Sequence, residues 1–474
     1  MVGFSSALGW ITAGMAGANP SWEAIPELDG VLTVEPAALD RASRDWGNIV
    51  RRRPSAVLWP GSARDVAAMI RYCRARHIKV AAHGSGHWMF GQSLVADGLL
   101  IDMRSLNTIH SLHTGRGGAD VDAGVIWRDL VKAADAKGLR ATSGLTGHLG
   151  PTIGGTLQTG GISPNYRHGA QVDHVRWLEV VTGAGEIVTC SATHNAELFD
   201  AVLAGLGQCG IVTRVKLDLM PRPRRVRSWI IPYLDHPSFF ADLRTLARRG
   251  EVDEVFGMWQ PGSTGLVPTL NIAVYSEPES PPDSGHLLRG LHGVLPVPLN
   301  WSYLAHALFF DGVMRVTEAL GWEHTTKPWF DAFLPDSTVE PFVTNAVKAL
   351  SVRDWSPTGY VLLFVHHRDT MRRPNLRLPS HTDGDLVYLF DLLNDSTLAV
   401  ADRDFAADML ARNKRLYEQA RSVGGTLYPI GATPMTRADW ARHYGDRWPI
   451  AQRRKAQFDP DTILGPGPGI FDAT

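Results

Sequence analysis

The stretch Val80-Ala-Ala-His-Gly-Ser-Gly-His-Trp-Met-Phe-Gly-Gln92 decides the fold of the first half of this chain. In it, a short predicted strand runs into a glycine-rich turn that ends at His87. Because Gly84 and Gly86 leave the backbone bare on both sides of Ser85, successive N–H groups can close around a phosphate. A phosphate-binding turn beside a nucleophilic imidazole predicts a dinucleotide cofactor, one that His87 is placed to hold covalently.

A second glycine-rich segment reads Gly147-His-Leu-Gly-Pro-Thr-Ile-Gly-Gly-Thr-Leu-Gln-Thr-Gly-Gly-Ile162, with six glycines in sixteen residues. That content argues against a stable helix or an ordinary strand and predicts backbone lying close against something flat. An isoalloxazine ring fits, with backbone amides donating to N5 and to the pyrimidine edge; the alternative is a structural glycine loop. One loop suited to pyrophosphate and one suited to a flat ring together favour FAD.

The composition indicates a soluble enzyme with two domains. The chain has 474 residues, of which 44% are hydrophobic and 20% charged, and its formal net charge is −1. The lack of a basic excess argues against a nucleic-acid partner. Cys73, Cys190 and Cys209 show no CxxC spacing, which predicts small buried side chains rather than disulfides or a zinc site.

Composition shifts divide the chain. Strands and helices alternate up to about residue 222, which predicts a cofactor-binding domain over residues 21–222. Residues 223–424 predict an antiparallel sheet flanked by helices, typical of an α+β unit that covers a substrate. The proline- and glycine-rich end of residues 425–474 is predicted to return to the first domain.

Residues 1–20 form an apolar arm that is either a loose terminus or the remnant of an export signal, with a cleavage site at residues 16–18. The compartment therefore stays open between cytoplasm and export. No other segment predicts a membrane span.

Two further patterns are set aside. Gly205-Leu-Gly-Gln-Cys-Gly210 matches GxGxxG, but a predicted helix precedes it and a strand follows, the reverse of the order in a Rossmann fingerprint. His83 and His87 are four residues apart, yet they flank glycines after a strand, and no carboxylate or cysteine completes a ligand set. We therefore expect a helix-to-strand turn at the first pattern and no metal at the second. The histidines of the pair His366-His367 point to opposite faces of a strand, so at most one can face a cofactor, and the alternative is a pair at the surface.

Short segments in order along the chain resemble one group of flavoenzymes. They lie at residues 42–47, 84–92, 154–156, 167–169, 181–183, 195–203, 205–211, 458–460 and 470–471, and more loosely at 327–335. They are similar to the vanillyl-alcohol-oxidase (PCMH-type) FAD-binding fold, and most of all to cytokinin dehydrogenases, relatives of the berberine-bridge enzymes. The resemblance implies an α+β flavoprotein of two domains, in which a mixed α+β substrate domain carries an antiparallel sheet flanked by helices.

The resemblance also implies individual roles. His87 falls at the histidine that carries the 8α-histidyl link to FAD. Val212 matches a further backbone contact to the cofactor. The other implied cofactor contacts are Gly84, Ser85, Gly86, Trp88 and Gln92 on the first turn, and Thr152, Gly154, Gly155, Gln158 and Ile162 on the second segment.

This chain departs from the family pattern at two positions. The aspartate that receives the substrate proton in cytokinin dehydrogenases is matched here by Gly147, which cannot take a proton. The cysteine that forms a second flavin link in berberine-bridge enzymes is matched by about Gly150. The resemblance thus implies a single covalent bond and leaves the base open.

The sequence therefore predicts an FAD-linked oxidase or dehydrogenase that takes hydride from a C–N or C–O carbon of a small molecule, with O₂ or another electron acceptor. His148 is the first candidate base and Tyr166 the second; Asp331 and His366 are further candidates from the second domain. Three alternatives stay open: a cytokinin dehydrogenase proper with another base, a sugar or alcohol oxidase of the same fold, and a flavin-loaded binding protein without turnover.

Overall fold

The computed structural model describes residues 2–5, 9–12, 22–262, 265–351, 354, 356, 358–380, 384–397 and 400–471. Near the N-terminus, strands β1 (Val2–Ser5), β2 (Gly9–Thr12) and β3 (Trp22–Ala24) form an antiparallel sheet. The predicted cleavage site at residues 16–18 lies outside the described residues. Within the described ranges, no helix has the length and hydropathy needed to cross a bilayer.

The first half of the chain is built from short strands with helices between them. The strands are β4 (Val31–Thr33), β5 (Ala56–Trp59), β6 (Val80–His83), β7 (Leu99–Asp102), β8 (Ile109–His113), β9 (Gly118–Asp122), β10 (Leu139–Ala141), β11 (Val175–Val181), β12 (Ile187–Ser191), β13 (Ile211–Leu217) and β14 (Leu219–Pro221). The helices are α1 (Pro36–Arg41), α2 (Ala63–Arg74), α3 (Trp127–Asp135), α4 (Ile153–Leu157) and α5 (Ala196–Val202).

Two sheets organise this half. One has the strand order β4-β5-β7-β6, and its β5, β7 and β6 run parallel. The other has the order β12-β11-β13-β9-β8 and is antiparallel. Helix α2 buries Met69, Ile70 and Cys73 against the first sheet. The glycine-rich turn follows directly from β6, so it leaves the carboxyl end of a parallel strand, where ligands bind in open α/β sheets.

The second half contains one large antiparallel sheet with helices packed on it. Its strands are β15 (Arg225–Pro232), β16 (Glu254–Gly262), β17 (Gly265–Ser276), β18 (Val297–Ser302), β19 (Phe330–Pro335), β20 (Tyr360–His367), β21 (Leu386–Leu393) and β22 (Thr426–Leu427), in the order β18-β15-β17-β16-β20-β21-β19-β22. The helices are α6 (His236–Arg249), α7 (Ser284–Leu287), α8 (Tyr303–Ala307), α9 (Phe309–Ala319), α10 (Asp336–Lys348), α11 (Arg403–Ser422), α12 (Arg437–Tyr444) and α13 (Trp448–Phe458). The α+β fold class is confirmed.

The C-terminal segment lies against the first half of the chain. The backbone N–H of Val80 donates to Ile463 O at 2.8 Å, and Gly465 N–H donates to Val80 O at 3.0 Å. The buried Lys455 ammonium pairs with Asp459 at 2.7 Å. The C-terminal segment thus pairs with the edge of β6, next to the glycine-rich turn.

One secondary-structure expectation is wrong. Residues of the second glycine-rich segment form the short helix α4, in spite of Gly154 and Gly155. Thr152 caps its N-terminus, because the Thr152 hydroxyl oxygen accepts a hydrogen bond from Gly155 N–H at 3.2 Å. Tertiary packing outweighs the low helix propensity of glycine, since a Cβ at Gly154 would come within 2.9 Å of the Ala123 side chain.

Candidate active site

Two cavities meet at the glycine-rich turn. The first, of about 280 Å³, lies between this turn and the large sheet, and the second, of about 70 Å³, continues toward β6 and the C-terminal segment. Gly84, Trp88, Thr152 and Gly155 line both cavities. The arrangement suits an elongated ligand that passes over the turn, with one part in each cavity.

Close backbone packing explains the glycines of the turn. A Cβ at Gly84 would overlap the hydroxyl oxygen of Thr152, the residue that caps α4. Gly86 has a φ of +75°, in the left-handed region that side chains disfavour. The backbone of the turn therefore lies directly against the Thr152 side chain at the N-terminus of α4, in a position that only glycine allows at residue 84.

Two imidazoles meet at the edge of the first cavity. Nε2 of His87 lies 2.6 Å from Nε2 of His148, and the Trp46 ring stacks near His148 at a centroid distance of 5.8 Å. Nδ1 of His87 is buried and has no hydrogen-bond partner among the described residues. Burial, with a smaller effect of the neighbouring His148, holds the pKa of His87 well below its usual value. His87 is therefore neutral at pH 7, with one ring nitrogen uncommitted.

An ion pair lies on the other side of His148, whose Nδ1 is 3.9 Å from Asp311 Oδ1. Arg128 Nε and Nη2 donate to the Asp311 carboxylate at 2.6 and 2.8 Å, and Leu149 N–H donates to Asp311 Oδ1 at 3.1 Å. Burial lowers the pKa of His148 to about 4, although the Asp311 charge acts in the opposite direction. His87, His148 and Glu318 also place ligand atoms within 4.8 Å of one another, so the expected absence of a metal stays a prediction.

The large sheet forms the opposite wall of the first cavity. Its cavity face is mostly apolar, with side chains such as Phe256, Leu362 and Leu389, but three carboxyl groups interrupt it. Glu254 is fully partnered, because His306 Nε2 lies 2.8 Å from its carboxylate and the Tyr275 hydroxyl also donates to it. The other two are Asp331 on β19 and Asp391 on β21. Among the described residues that line this cavity there is no lysine or arginine.

Comparisons with known proteins show which family this chain is similar to. A family model of an FAD binding domain matches residues 54–191, and the model described as "Cytokinin dehydrogenase 1, FAD and cytokinin binding" matches residues 301–471. The chain is 34% identical over 449 residues to an uncharacterised oxidoreductase in the fasciation locus of Rhodococcoides fascians. This alignment covers 93% of this chain and 99% of that protein.

Plant enzymes match over a similar span. The chain is 34% identical over 476 residues to cytokinin dehydrogenase 3 of Oryza sativa subsp. japonica, covering 91% of this chain and 89% of the rice protein. It is 28% identical over 478 residues to cytokinin dehydrogenase 2 of Arabidopsis thaliana, covering 94% of each. The chain belongs to the cytokinin dehydrogenase family. This cytokinin dehydrogenase homologue is thus an FAD-dependent oxidoreductase that acts on a small molecule.

The two cavities of this cytokinin dehydrogenase homologue fit FAD. Gly84 and Gly86 provide the close backbone approach that a pyrophosphate needs. His87, whose Nδ1 is unpartnered among the described residues, lines the first cavity, which has the room and the apolar walls for a flat ring. FAD, when bound, supplies the acceptor for hydride, and the protein supplies orientation and charge.

Every residue that the sequence predicted to contact the cofactor lines one of these cavities. Those in the first cavity are Gly84, Ser85, Gly86, His87, Trp88, Thr152, Gly155 and Ile162. Those in the second are Gly84, Trp88, Gln92, Thr152, Gly154, Gly155, Gln158 and Val212. Gly207 of the rejected GxGxxG pattern also lines the second cavity, but the pattern follows helix α5 and precedes strand β13, as expected.

Of the predicted bases, the structure brings His148 and Asp331 into the first cavity and leaves Tyr166 and His366 out of it. Tyr166 is fully buried in the core of the second half, and its hydroxyl donates to Val252 O at 3.1 Å. Burial raises the pKa of Tyr166 to about 12. His366 is also fully buried, so the alternative of a pair at the surface is wrong. Neither side chain can reach a substrate in the cavity.

Sequence reasoning missed Asp391, Glu254 and His306. The signal for Asp391 was present, since an acidic residue in the strand Leu386-Val-Tyr-Leu-Phe-Asp-Leu-Leu393 interrupts an otherwise apolar run. A charge in a strand that is buried on both faces is costly unless it serves a partner or a ligand.

Proposed function

We propose that this enzyme removes hydride from a carbon that bears nitrogen in a neutral or cationic small molecule, and delivers it to FAD held covalently through His87. The observation that carries this proposal is that the two cavities share Gly84, Trp88, Thr152 and Gly155, next to His87 in the first cavity. Its support comes from the family and from the cavity wall. The wall offers carboxyl groups and no lysine or arginine, so an amine is favoured over a carboxylate or phosphate substrate.

The two histidines act together in holding the cofactor. When His87 Nε2–H donates to His148 Nε2, the lone pair of His87 lies on Nδ1, the unpartnered nitrogen. This hydrogen bond to His148 would hold His87 in the tautomer whose Nδ1 is unprotonated and able to carry the flavin link. Since the position of Gly150 carries no thiol, the proposal includes one covalent link only.

The first cavity orients the substrate and excludes water. Trp329 and Phe310 flank it, and α9 covers its outer side through Phe310 and Met314. These apolar walls leave the polar atom of a substrate to be recognised by the few polar groups present. The reduced enzyme would pass electrons to O₂ or to another acceptor.

The test uses purified protein. We expect a yellow acid-precipitated pellet, and anaerobic bleaching of the flavin by members of a panel of secondary and primary amines that includes isopentenyladenine. Peroxide release with carbohydrates or alcohols, but no bleaching by amines, would favour the sugar or alcohol oxidase. Bound flavin that no substrate bleaches would favour a binding protein without turnover.

A further inference from the structure

Asp331 and Asp391 face each other across two neighbouring strands. They are directly paired residues in the antiparallel register of β19 and β21, so their side chains emerge on the same face of the sheet. That face is the wall of the first cavity, and both residues line it. Asp331 is fully buried and Asp391 is 5% exposed.

Within the described part of the chain, neither carboxyl group forms an ion pair with a lysine, arginine or histidine. Both oxygens of Asp331 and Oδ1 of Asp391 lack a hydrogen-bond donor among the described residues. Three other buried carboxylates of this chain have a cation partner, Asp311 with Arg128, Asp439 with Lys414 and Asp459 with Lys455. The same fold thus pairs buried acids elsewhere and leaves these two open to the cavity.

Two buried carboxyl groups that face each other cannot both stay ionised. Burial, and next the charge of Asp391, raises the pKa of Asp331 well above its usual value. Burial raises the pKa of Asp391 to about 7, while a hydrogen bond from Asp331 acts in the opposite direction. Burial thus favours the protonated form of both carboxyl groups, and a single proton held between the two facing side chains would relieve their repulsion.

The pair lies next to the second glycine-rich segment. The backbone N–H of Tyr428 donates to Asp331 O at 3.1 Å, and the Tyr428 hydroxyl accepts from Gly161 N–H at 3.2 Å. Tyr428 thus connects the strand of Asp331 to the loop that lines the first cavity. A ligand that contacts Asp391 in this cavity therefore also lies close to the second glycine-rich segment.

We propose that Asp331 and Asp391 share one proton and that Asp391 is the general base of the reaction, in place of the acid that Gly147 does not provide. This inference rests on the proposed function. The substrate C–H bond breaks with its electron pair, which passes as hydride to the flavin, while the N–H bond breaks and its proton passes to Asp391. A C=N bond forms, so one hydride and one proton leave each substrate molecule.

Asp331 is a positioning residue in this scheme. Its proton stabilises ionised Asp391, so it sets the pH at which the base becomes active. A base whose pKa lies near the working pH is ionised in a large fraction of the molecules and is still basic enough to accept a proton. His148, with its pKa lowered to about 4 and its Nε2 occupied by His87, is the weaker acceptor for a substrate proton.

Other titratable groups face the pair or share the cavity. Tyr360 on β20 and Tyr428 sense the charge of Asp391, and burial raises the pKa of both hydroxyls, so they stay neutral. Glu254 keeps a lowered pKa through His306, whose own pKa is raised. Because the pKa of His306 is raised as well as that of Asp391, a pH profile needs the Asp391 variant to assign it.

The experiment compares the flavin-loaded wild-type protein with Asp391→Asn, Asp331→Asn, Asp331→Ala and the exposed control Asp385→Asn. The readouts are flavin content, the rate of anaerobic bleaching by an amine found active above, its pH profile, and the infrared carbonyl band of a buried protonated carboxylic acid without substrate. We expect Asp391→Asn to keep its flavin and lose about 10²- to 10⁴-fold in bleaching rate, together with the acidic limb near pH 7.

The Asp331 variants separate positioning from structure. Asparagine still donates a hydrogen bond, so Asp331→Asn keeps the acidic limb in place but loses the infrared band. Asp331→Ala moves the limb to higher pH. A wild-type rate and an unchanged limb in Asp391→Asn overturn the inference. If Asp391→Asn loses its flavin, the Asp331 variants decide: identical acidic limbs in the pH profiles of wild type, Asp331→Asn and Asp331→Ala overturn the inference. A wild-type protein without the infrared band overturns it as well. A colourless wild-type protein would instead refute the proposed function.

Discussion

Nε2 of His87 and Nε2 of His148 lie 2.6 Å apart, on two loops that are 61 residues apart in the chain. The contact fixes the plane of the His87 ring and leaves Nδ1 as its only uncommitted nitrogen. A nucleophilic histidine needs its ring held by a second group that takes or gives the other proton. The pair therefore joins the two glycine-rich segments at the point where the cofactor is attached.

Replacing His87 is expected to free the cofactor. In His87→Ala, FAD can still occupy both cavities, but no bond retains it. We expect the wild-type pellet to stay yellow after acid precipitation and the variant to release its flavin into the supernatant. His194→Ala, at an exposed loop position, is the matched control and should behave as wild type. Flavin that stays with the His87→Ala pellet would show that another residue carries the link.

Replacing His148 is expected to slow attachment rather than abolish binding. His148→Ala removes the acceptor for the His87 Nε2 proton, and His148→Gln keeps a hydrogen-bond acceptor at this place. Incubating flavin-free protein with FAD should give covalent incorporation in the order wild type, His148→Gln, His148→Ala, as measured by protein-bound flavin on denaturing gels. Equal rates in all three proteins would remove the proposed role of His148.

The glycine turn offers a test that depends on packing alone. A Cβ at Gly84 would overlap the Thr152 hydroxyl oxygen, so Gly84→Ala should displace either the turn or the cap of α4 and lower flavin occupancy. Adding Thr152→Ala removes the overlapping atom at a cost of about 1 kcal/mol for the lost cap. We expect the double variant to bind more flavin than Gly84→Ala. A double variant that binds less would show that cap loss outweighs the steric relief.

The cofactor side of the site could be predicted from the sequence because it is local. Gly84, Gly86 and His87 belong to one turn, and backbone freedom with residue spacing is enough to predict what that turn binds. Thr152 and Gly155 belong likewise to one segment whose position at the cofactor site could be predicted, although its short helix could not. The family resemblance then named the remaining contacts, and the fold class followed from it.

The substrate side could not be predicted in the same way. Whether Asp391 faces a cavity depends on the register of β21 with β19 and β20, which lie tens of residues away in sequence. Tyr166 was predicted as a base because it ends the second glycine-rich segment, but the chain turns there and buries the ring in the other core. A position at the end of a segment does not give the direction of its side chain.

The carboxyl pair should also be visible in the pH dependence of stability. Asp391 has a folded-state pKa raised from 3.8 to about 7, so its contribution to stability is full below pH 3.8 and is lost as the pH rises toward 7. Relative to wild type, Asp391→Asn should therefore gain stability as the pH rises from 4 to 8. Thermal unfolding of both proteins across this range is the measurement. The exposed Asp385→Asn should show no such trend, and a constant difference for Asp391→Asn would contradict the raised pKa.

The ion pair of Arg128 and Asp311 is expected to control access to the first cavity. It ties α3 to α9, whose Phe310 and Met314 cover the cavity. Arg128→Gln leaves the buried Asp311 carboxylate with only the Leu149 N–H as donor, and breaking such a pair costs roughly 3–5 kcal/mol. Asp311→Asn keeps an acceptor for Leu149 N–H and should cost less. We expect both variants to raise KM for the amine more than they lower the bleaching rate at saturation, with the larger effect in Arg128→Gln. Stopped-flow reduction at several substrate concentrations separates the two quantities, and an unchanged KM in both variants would show that α9 covers the cavity without help from this pair.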